Sequence, residues 1–314
     1  MSNAWQYYIL KIISQLLCLL PYASILALGK VLGRLYYHIA ARQRRRALLQ
    51  IQERLGISFS EAEDIIKRLF IKIAQTLLEV MYMPALTPEK MERYVTIENR
   101  HYLTEAVAKG RGVVYLSAHL GNWEWMGAAL AMAGFPVASV IKSQPNAQHT
   151  RIINEYRQQA GITIFARGAE LLSAAKALKQ GKVLGFFSDQ DAGIQGTFVN
   201  FLGKMASTPR GAAVFAKKFK SPIVPAFIVR RPQGGHSIMI DPPIYYEDTG
   251  DEKQDIHNLT VRLTGMIENK IKEYPDEWIW FQKRWNTPFA DTENVAEKKG
   301  KTALADEESV GERA

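Results

Sequence analysis

Between about Val95 and Tyr246 the chain alternates short apolar runs with amphipathic stretches, and this alternation restricts the fold more than any other feature. Val113–Ala118, Pro136–Ile141, Ile162–Phe165, Val183–Ser188, Ile223–Val229 and Ser237–Ile240 read as strands. Trp123–Ala133, Thr150–Ala160, Glu170–Lys179 and Pro209–Phe219 read as helices between them. That order predicts an α/β fold, a mixed, largely parallel sheet with flanking helices. Sheets of this kind place their chemistry where strands end and helices begin, so the turns after the strands are where a site is expected.

The amino end follows a different pattern. Residues 7–28 form the most apolar window, but Lys11, Ser14, Gln15 and Pro21 interrupt it. On a helix Lys11, Ser14, Gln15 and Cys18 make one narrow polar stripe, with Ile9, Ile12, Ile13, Leu16, Leu17 and Leu20 covering the rest. Beyond Pro21 the pattern repeats around Lys30, Arg34 and His38, and the basic run Arg42, Arg44, Arg45, Arg46 follows. A strongly apolar face closed by a basic cluster fits a membrane-associated helical segment lying in the cytoplasmic leaflet. One transmembrane helix and a helical cap on the core are the alternatives. The absence of a basic residue before Lys11 argues against a cleaved signal peptide. Further along, Ser60 with Glu63 three residues on predicts a capped helix carrying Ile65, Ile66, Leu69, Phe70, Ile73, Leu77 and Val80 on one face.

Charge narrows the partners. The 314 residues carry +9, yet from residue 290 onward seven acids face four bases, which leaves +12 on residues 1–289. The tail has no aromatic and few large aliphatic residues, so burial could not offset the entropy of ordering it. The expected organisation is thus a membrane-associated helical anchor over 1–46, an α/β domain over 47–289 and a disordered tail over 290–314. A basic body suits an anionic membrane, an acidic protein or nucleic acid. Nucleic acid is disfavoured, because the densest basic run adjoins an apolar segment instead of interleaving with stacking aromatics. The single cysteine, Cys18, excludes an internal disulfide framework, and six scattered histidines suggest no metal site.

The strand Val113–Ala118 runs directly into His119-Leu120-Gly121-Asn122-Trp123-Glu124. On one continuous helix His119 and Glu124 would point about 140° apart. If His119 ends the strand, Gly121 makes the turn and Asn122 caps the helix, Glu124 falls in the first helical turn and can fold back toward the imidazole. A carboxylate on one ring nitrogen fixes the tautomer and leaves the other nitrogen as a general base. An acid is also favourable at any helix N-terminus, and a histidine at a strand end can simply be hydrogen-bonded. Ser117 lacks the GxSxG elbow of a serine nucleophile.

His119-x4-Glu124 within AHLGNWE resembles the lipid A biosynthesis acyltransferase family, the bacterial late-step lauroyl and myristoyl transferases. The similarity continues through Arg157-x3-Gly161, Arg167, Ser188-Asp189-Gln190-Asp191, Phe201-Leu202-Gly203 and Trp278-Ile279-Trp280 with Arg284-Trp285. It spans about residues 5–288. The sequence departs from the family at Gln282, where late-step enzymes often carry histidine, and at Gln190, where some have Asp-His-Asp.

The resemblance implies a glycerolphosphate-acyltransferase-like core at the inner membrane with its catalytic domain on the cytoplasmic face. It also implies transfer of an acyl chain from acyl carrier protein to a hydroxyl of a lipid A precursor, with no cofactor. In that reading His119 is the general base and Glu124 its orienting acid, while Arg157, Arg167, Asp189 and Asn122 belong to substrate binding. Phospholipid or mannoside-lipid acyl transfer, with acyl-CoA as another donor, is the nearest alternative, and a basic membrane adaptor the non-enzymatic one.

Overall fold

A computed structural model describes residues 4–140, 147–165 and 170–289. Helices α1 (Ala4–Cys18), α2 (Tyr22–Ile39), α3 (Ala41–Leu55) and α4 (Phe59–Tyr82) come first. There follow α5 (Pro88–Tyr94), β1 (Val95–Glu98), α6 (Arg100–Ala108), β2 (Val113–Ser117), α7 (Trp123–Met132), β3 (Val137–Val140), α8 (Ala147–Gln159), β4 (Thr163–Phe165), α9 (Glu170–Lys179) and β5 (Val183–Phe187). The chain then forms β6 (Thr197–Phe201), β7 (Lys204–Thr208), α10 (Gly211–Phe219), β8 (Ile223–Arg230), β9 (His236–Ile240) and α11 (Glu252–Glu273). All six expected strands and all four expected helices are present, Glu170–Lys179 with the expected bounds and the others with ends shifted by a few residues. The sequence reading missed β1, α11 and the hairpin β6–β7, whose turn is made by Leu202 and Gly203.

Seven strands form one sheet in the order β1-β9-β8-β2-β5-β3-β4. Every neighbouring pair is parallel except β8–β9. Every residue of β2 is buried, which is why its sequence reads as a continuous apolar run instead of an alternation. β2 lies between β8 and β5, and its register with β5 runs from Val113 opposite Val183 to Ser117 opposite Phe187. That register fixes the geometry of the site.

Two expectations for the helical amino end need correction. The cap of α4 is Ser58, not Ser60: its hydroxyl accepts from the Glu61 amide, and the Glu61 carboxylate accepts the Ser58 amide at 2.9 Å. Both Ser58–Glu61 and Ser60–Glu63 fit the capping pattern, and the upstream pair adds helical hydrogen bonds at little cost. Glu63 instead accepts from Tyr37 and Lys67. The second concerns the transmembrane alternative, which falls away: no described helix is long and apolar enough to cross a membrane.

What α1 and α2 do is more specific. Most of the polar stripe of α1 faces the protein: the Ser14 hydroxyl donates to the Met81 carbonyl, Lys11 pairs with Glu155 at 2.7 Å and Cys18 is half-buried, while Gln15 is exposed. Tyr7 and Leu17 are buried, but most of its apolar side chains face outward, with Trp5, Tyr8, Ile12 and Leu16 exposed, as is Leu19 just beyond the helix. On α2, Val31, Leu35 and Ile39 are likewise exposed. α3 passes unbroken through residues 46 and 47, and its Ala47 and Ile51 are buried in the same core as the sheet. The 290–314 tail and Arg167 lie outside the described residues.

Candidate active site

His119 stands two residues beyond the end of β2, and Asp189 two residues beyond the end of β5. Ser117 and Phe187 are register partners, so parallel pairing sets these two side chains next to each other across 70 residues of sequence. His119 Nδ1 lies 2.8 Å from Asp189 Oδ1, and the His119 amide donates to Oδ2 at 3.0 Å. Trp278 Nε1 also donates to Oδ2 at 2.8 Å, and the Gln282 amide donates to the Asp189 carbonyl at 3.2 Å.

Asp189 is fully buried. Burial alone would raise its pKa, but the charge and hydrogen bond of His119, with the Trp278 and backbone donors, hold it at about 2. Burial would depress His119, and the Asp189 carboxylate, its hydrogen bond and the charge of Glu124 outweigh it, so the imidazole is raised above its ordinary value.

The expected contact between His119 and Glu124 is therefore replaced by one between His119 and Asp189. Asn122 caps α7, its Oδ1 accepting from the Trp125 amide at 3.0 Å, and Glu124 does fall in the first turn. The Glu124 carboxylate, however, is gripped by Arg157 from α8, with Nη2–Oε1 at 2.6 Å and Nε–Oε2 at 2.8 Å. A two-pronged ion pair with guanidinium outcompetes a single bond to imidazole. Arg157 is thus held by Glu124 while its guanidinium still lines the cavity that His119 faces. Asn122 is fully buried and outside the lining of the His119 cavity, and its amide donates to Glu79 at 2.8 Å.

Gly121 makes the turn between His119 and α7. Its φ is +64°, and a Cβ there would sit 2.1 Å from the Ile228 carbonyl oxygen, so only glycine fits. The turn is fastened by its amide, which donates to the Glu277 carbonyl at 3.0 Å.

The other edge of His119 faces a cavity of about 400 Å³ shared with Tyr115, Trp123, Glu124, Arg157, Phe187 and Gln190. The amide nitrogen of Gln190 stands 3.5 Å from Nε2. Gly185 in β5 opens room here, since a Cβ on it would meet the Tyr115 ring at 2.6 Å. Burial pushes the Tyr115 phenol well above its usual range, helped by the Glu124 charge, so it stays neutral in the cavity. Sequence reasoning missed Tyr115 and the grip of Trp278 and Gln282 on Asp189. The only signal for the latter was the tryptophan block near the carboxyl end.

Fold and site together define an α/β enzyme whose histidine–aspartate pair opens into a cavity at the carboxyl edge of a parallel sheet. The chain belongs to the bacterial lipid A biosynthesis acyltransferase family, whose sequence model matches residues 1–287. It is similar to the phosphatidylinositol mannoside acyltransferase of Mycolicibacterium smegmatis, 22% identical over 234 residues that cover 73% of this chain and 75% of that protein. It is also similar to lipid A biosynthesis acyltransferase 2 of Shigella flexneri, 22% identical over 264 residues covering 82% of each. The protein is an acyltransferase with a lipid acceptor.

Proposed function

We propose that the chain moves a fatty acyl group from the thioester of acyl carrier protein to a hydroxyl of a lipid A precursor, at the cytoplasmic face of the inner membrane. The observation that carries this reading is the division of His119: Nδ1 is held by buried Asp189, and the opposite edge looks into the cavity. Nε2 takes the proton of the acceptor hydroxyl as its oxygen attacks the thioester carbonyl. The carbon–sulfur bond then breaks, and the thiolate recovers the proton from the imidazolium. Asp189 fixes the tautomer and stabilises the imidazolium. Glu124, immobilised by Arg157, adds a second negative charge and takes the supporting part first expected of it at one remove. No acyl-enzyme is required, in keeping with the missing nucleophile elbow.

Replacing His119 with Ala is expected to lower acyl transfer by roughly 10²- to 10⁴-fold, with the protein still folded but less stable to heat because buried Asp189 loses its partner. Mass spectrometry of membrane lipids from cells expressing each form reads this out, and identical acylation would overturn the assignment. The same spectra name the acceptor. The mycobacterial relative favours a second reading, a mannosylated phospholipid in place of the lipid A precursor.

The outward apolar faces of α1 and α2, beside the Arg42–Arg46 run, support a seat in the leaflet interface without a spanning helix. Substituting exposed Ile12, Leu16 and Leu19 with Gln is expected to weaken sedimentation with anionic vesicles at least tenfold. Unchanged sedimentation would remove the interfacial seat.

A further inference from the structure

Helix α3 carries its basic residues on two faces. Ala41, Arg44, Arg45 and Leu48 border a groove with Tyr37, Phe59 and Ile66, and Phe59 and the neighbouring Ile39 and Leu49 are exposed apolar side chains. That face continues the apolar surface of α2. Arg46, Gln50, Glu53 and Arg54, spaced four, three and one residues apart, share another face. They wall a separate cavity of about 280 Å³ together with Lys204, Lys283, Trp285 and Asn286.

Four cations and one carboxylate surround this second cavity. Glu53 is taken up by Arg54, whose guanidinium lies 5.6 Å from the centre of the Trp285 ring. No described carboxylate pairs with Arg46, Lys204 or Lys283. Three uncompensated cations are thus held around one concavity by three parts of the chain: α3, the start of β7 and the segment after Trp280. Gln50 Oε1, in the wall, is buried with no hydrogen-bond partner, an acceptor left for a donor from outside.

The cavity is tied to the reacting pair. The Gln50 amide donates to the Gln282 carbonyl at 3.4 Å, and the Gln282 amide donates to Asp189, which holds His119. Only two side chains separate the basic wall from the histidine–aspartate pair.

We propose that this cavity is the docking seat of an acidic acyl carrier protein, positioned so that its flexible arm carries the thioester to His119. The assignment rests on the acyl-transfer reading given above. Charges spread over three chain segments match a surface of acidic side chains better than a single small anion, and complementary charge of this kind acts on encounter and on KM. The membrane is the poorer occupant, because no exposed large apolar side chain lines this cavity, whereas exposed Phe59 lines the groove on the other face of α3.

The test uses the full-length protein with exposed Lys204 and Lys283 both changed to Glu. Rates are measured with acylated carrier protein and with an acyl-N-acetylcysteamine thioester, which has neither carrier nor phosphate. Direct binding of the carrier is measured alongside. The expected result is a KM for the carrier raised at least tenfold, kcat within about twofold, unchanged rates with the small thioester, and a weaker salt dependence of carrier binding. An unchanged carrier KM overturns the proposal. Equal losses with both donors overturn it too, by showing that the lysines support the site itself. Loss of vesicle binding with carrier kinetics intact reassigns the cavity to lipid. If the unaltered enzyme transfers from the small thioester but neither uses nor binds the carrier, the docking seat falls while His119 chemistry stands. If it transfers from neither donor, the acyl-transfer reading falls, and carrier binding by the unaltered and doubly substituted proteins still decides the seat.

Discussion

Among the described residues are two histidine–carboxylate pairs of nearly the same length and opposite character. His119 meets Asp189 at 2.8 Å, and His236 Nε2 meets Glu79 at 3.1 Å. His119 keeps 22% of its side chain exposed, whereas His236 has none. The Glu79 carboxylate is also gripped by Arg230 at 2.6 and 2.8 Å and accepts from Tyr22 at 2.6 Å and from Asn122 at 2.8 Å. Burial alone would raise Glu79, and its contacts with His236 and Arg230 hold it far below the usual carboxylate range instead.

Pairing by itself therefore does not make a base. What separates the two histidines is the opening of one ring edge into a cavity, while the other is enclosed by α2, α4, β8 and β9. The two pairs are nonetheless connected. Glu79 holds the side chain of Asn122, Asn122 caps α7, and α7 begins beside the turn that carries His119. The closed pair fixes the frame on which the open pair works.

The contrast is broken most forcefully at Glu79. Glu79→Ala strands Arg230 in the interior and releases Tyr22, His236 and Asn122, and is expected to cost roughly 3–5 kcal/mol of stability. Urea unfolding measures it, and a loss no larger than that of a surface substitution would show that the closed pair is not structural. Asp189→Asn is expected to cost less in stability and about 10²-fold in rate. It also carries a pH signature. His119 must be unprotonated to act as base, and Asp189 raises its pKa, so the activity of the unaltered enzyme falls as pH drops through that raised value. With the aspartate charge removed, the acidic limb of the profile should move to lower pH. A limb that stays in place would separate the rate-limiting titration from His119.

Much of this was legible locally. Apolar periodicity located the strands and helices of the core, and the HxxxxE block placed His119 at a strand end, Gly121 in the turn, Asn122 as the cap and Glu124 in the first helical turn. The strand Val95–Glu98 was missed because it is short and half exposed, and α11 because no motif marked it. Glu79 was passed over, since a carboxylate in an amphipathic helix is ordinarily a solvated one. Its spacing from Lys72 and Thr76, a polar stripe beside the apolar face of α4, was the available hint.

The pairing of the site was a different kind of problem. Proximity in sequence favoured Glu124 as the partner of His119, and the parallel register of β2 with β5 chose Asp189 instead. The amphipathic pattern of α1 was equally readable, but which stripe faces inward depended on Met81 and Glu155 being there to receive Ser14 and Lys11. The sequence by itself determined the alternating α/β core, the basic body and the histidine at the strand end, because these follow from periodicity, charge and turn chemistry within a few residues. The tertiary structure alone decided which carboxylate holds which cation and which helix faces stay exposed. Those outcomes are set by competition among groups far apart in the chain, and only sheet register and helix packing bring the competitors within reach.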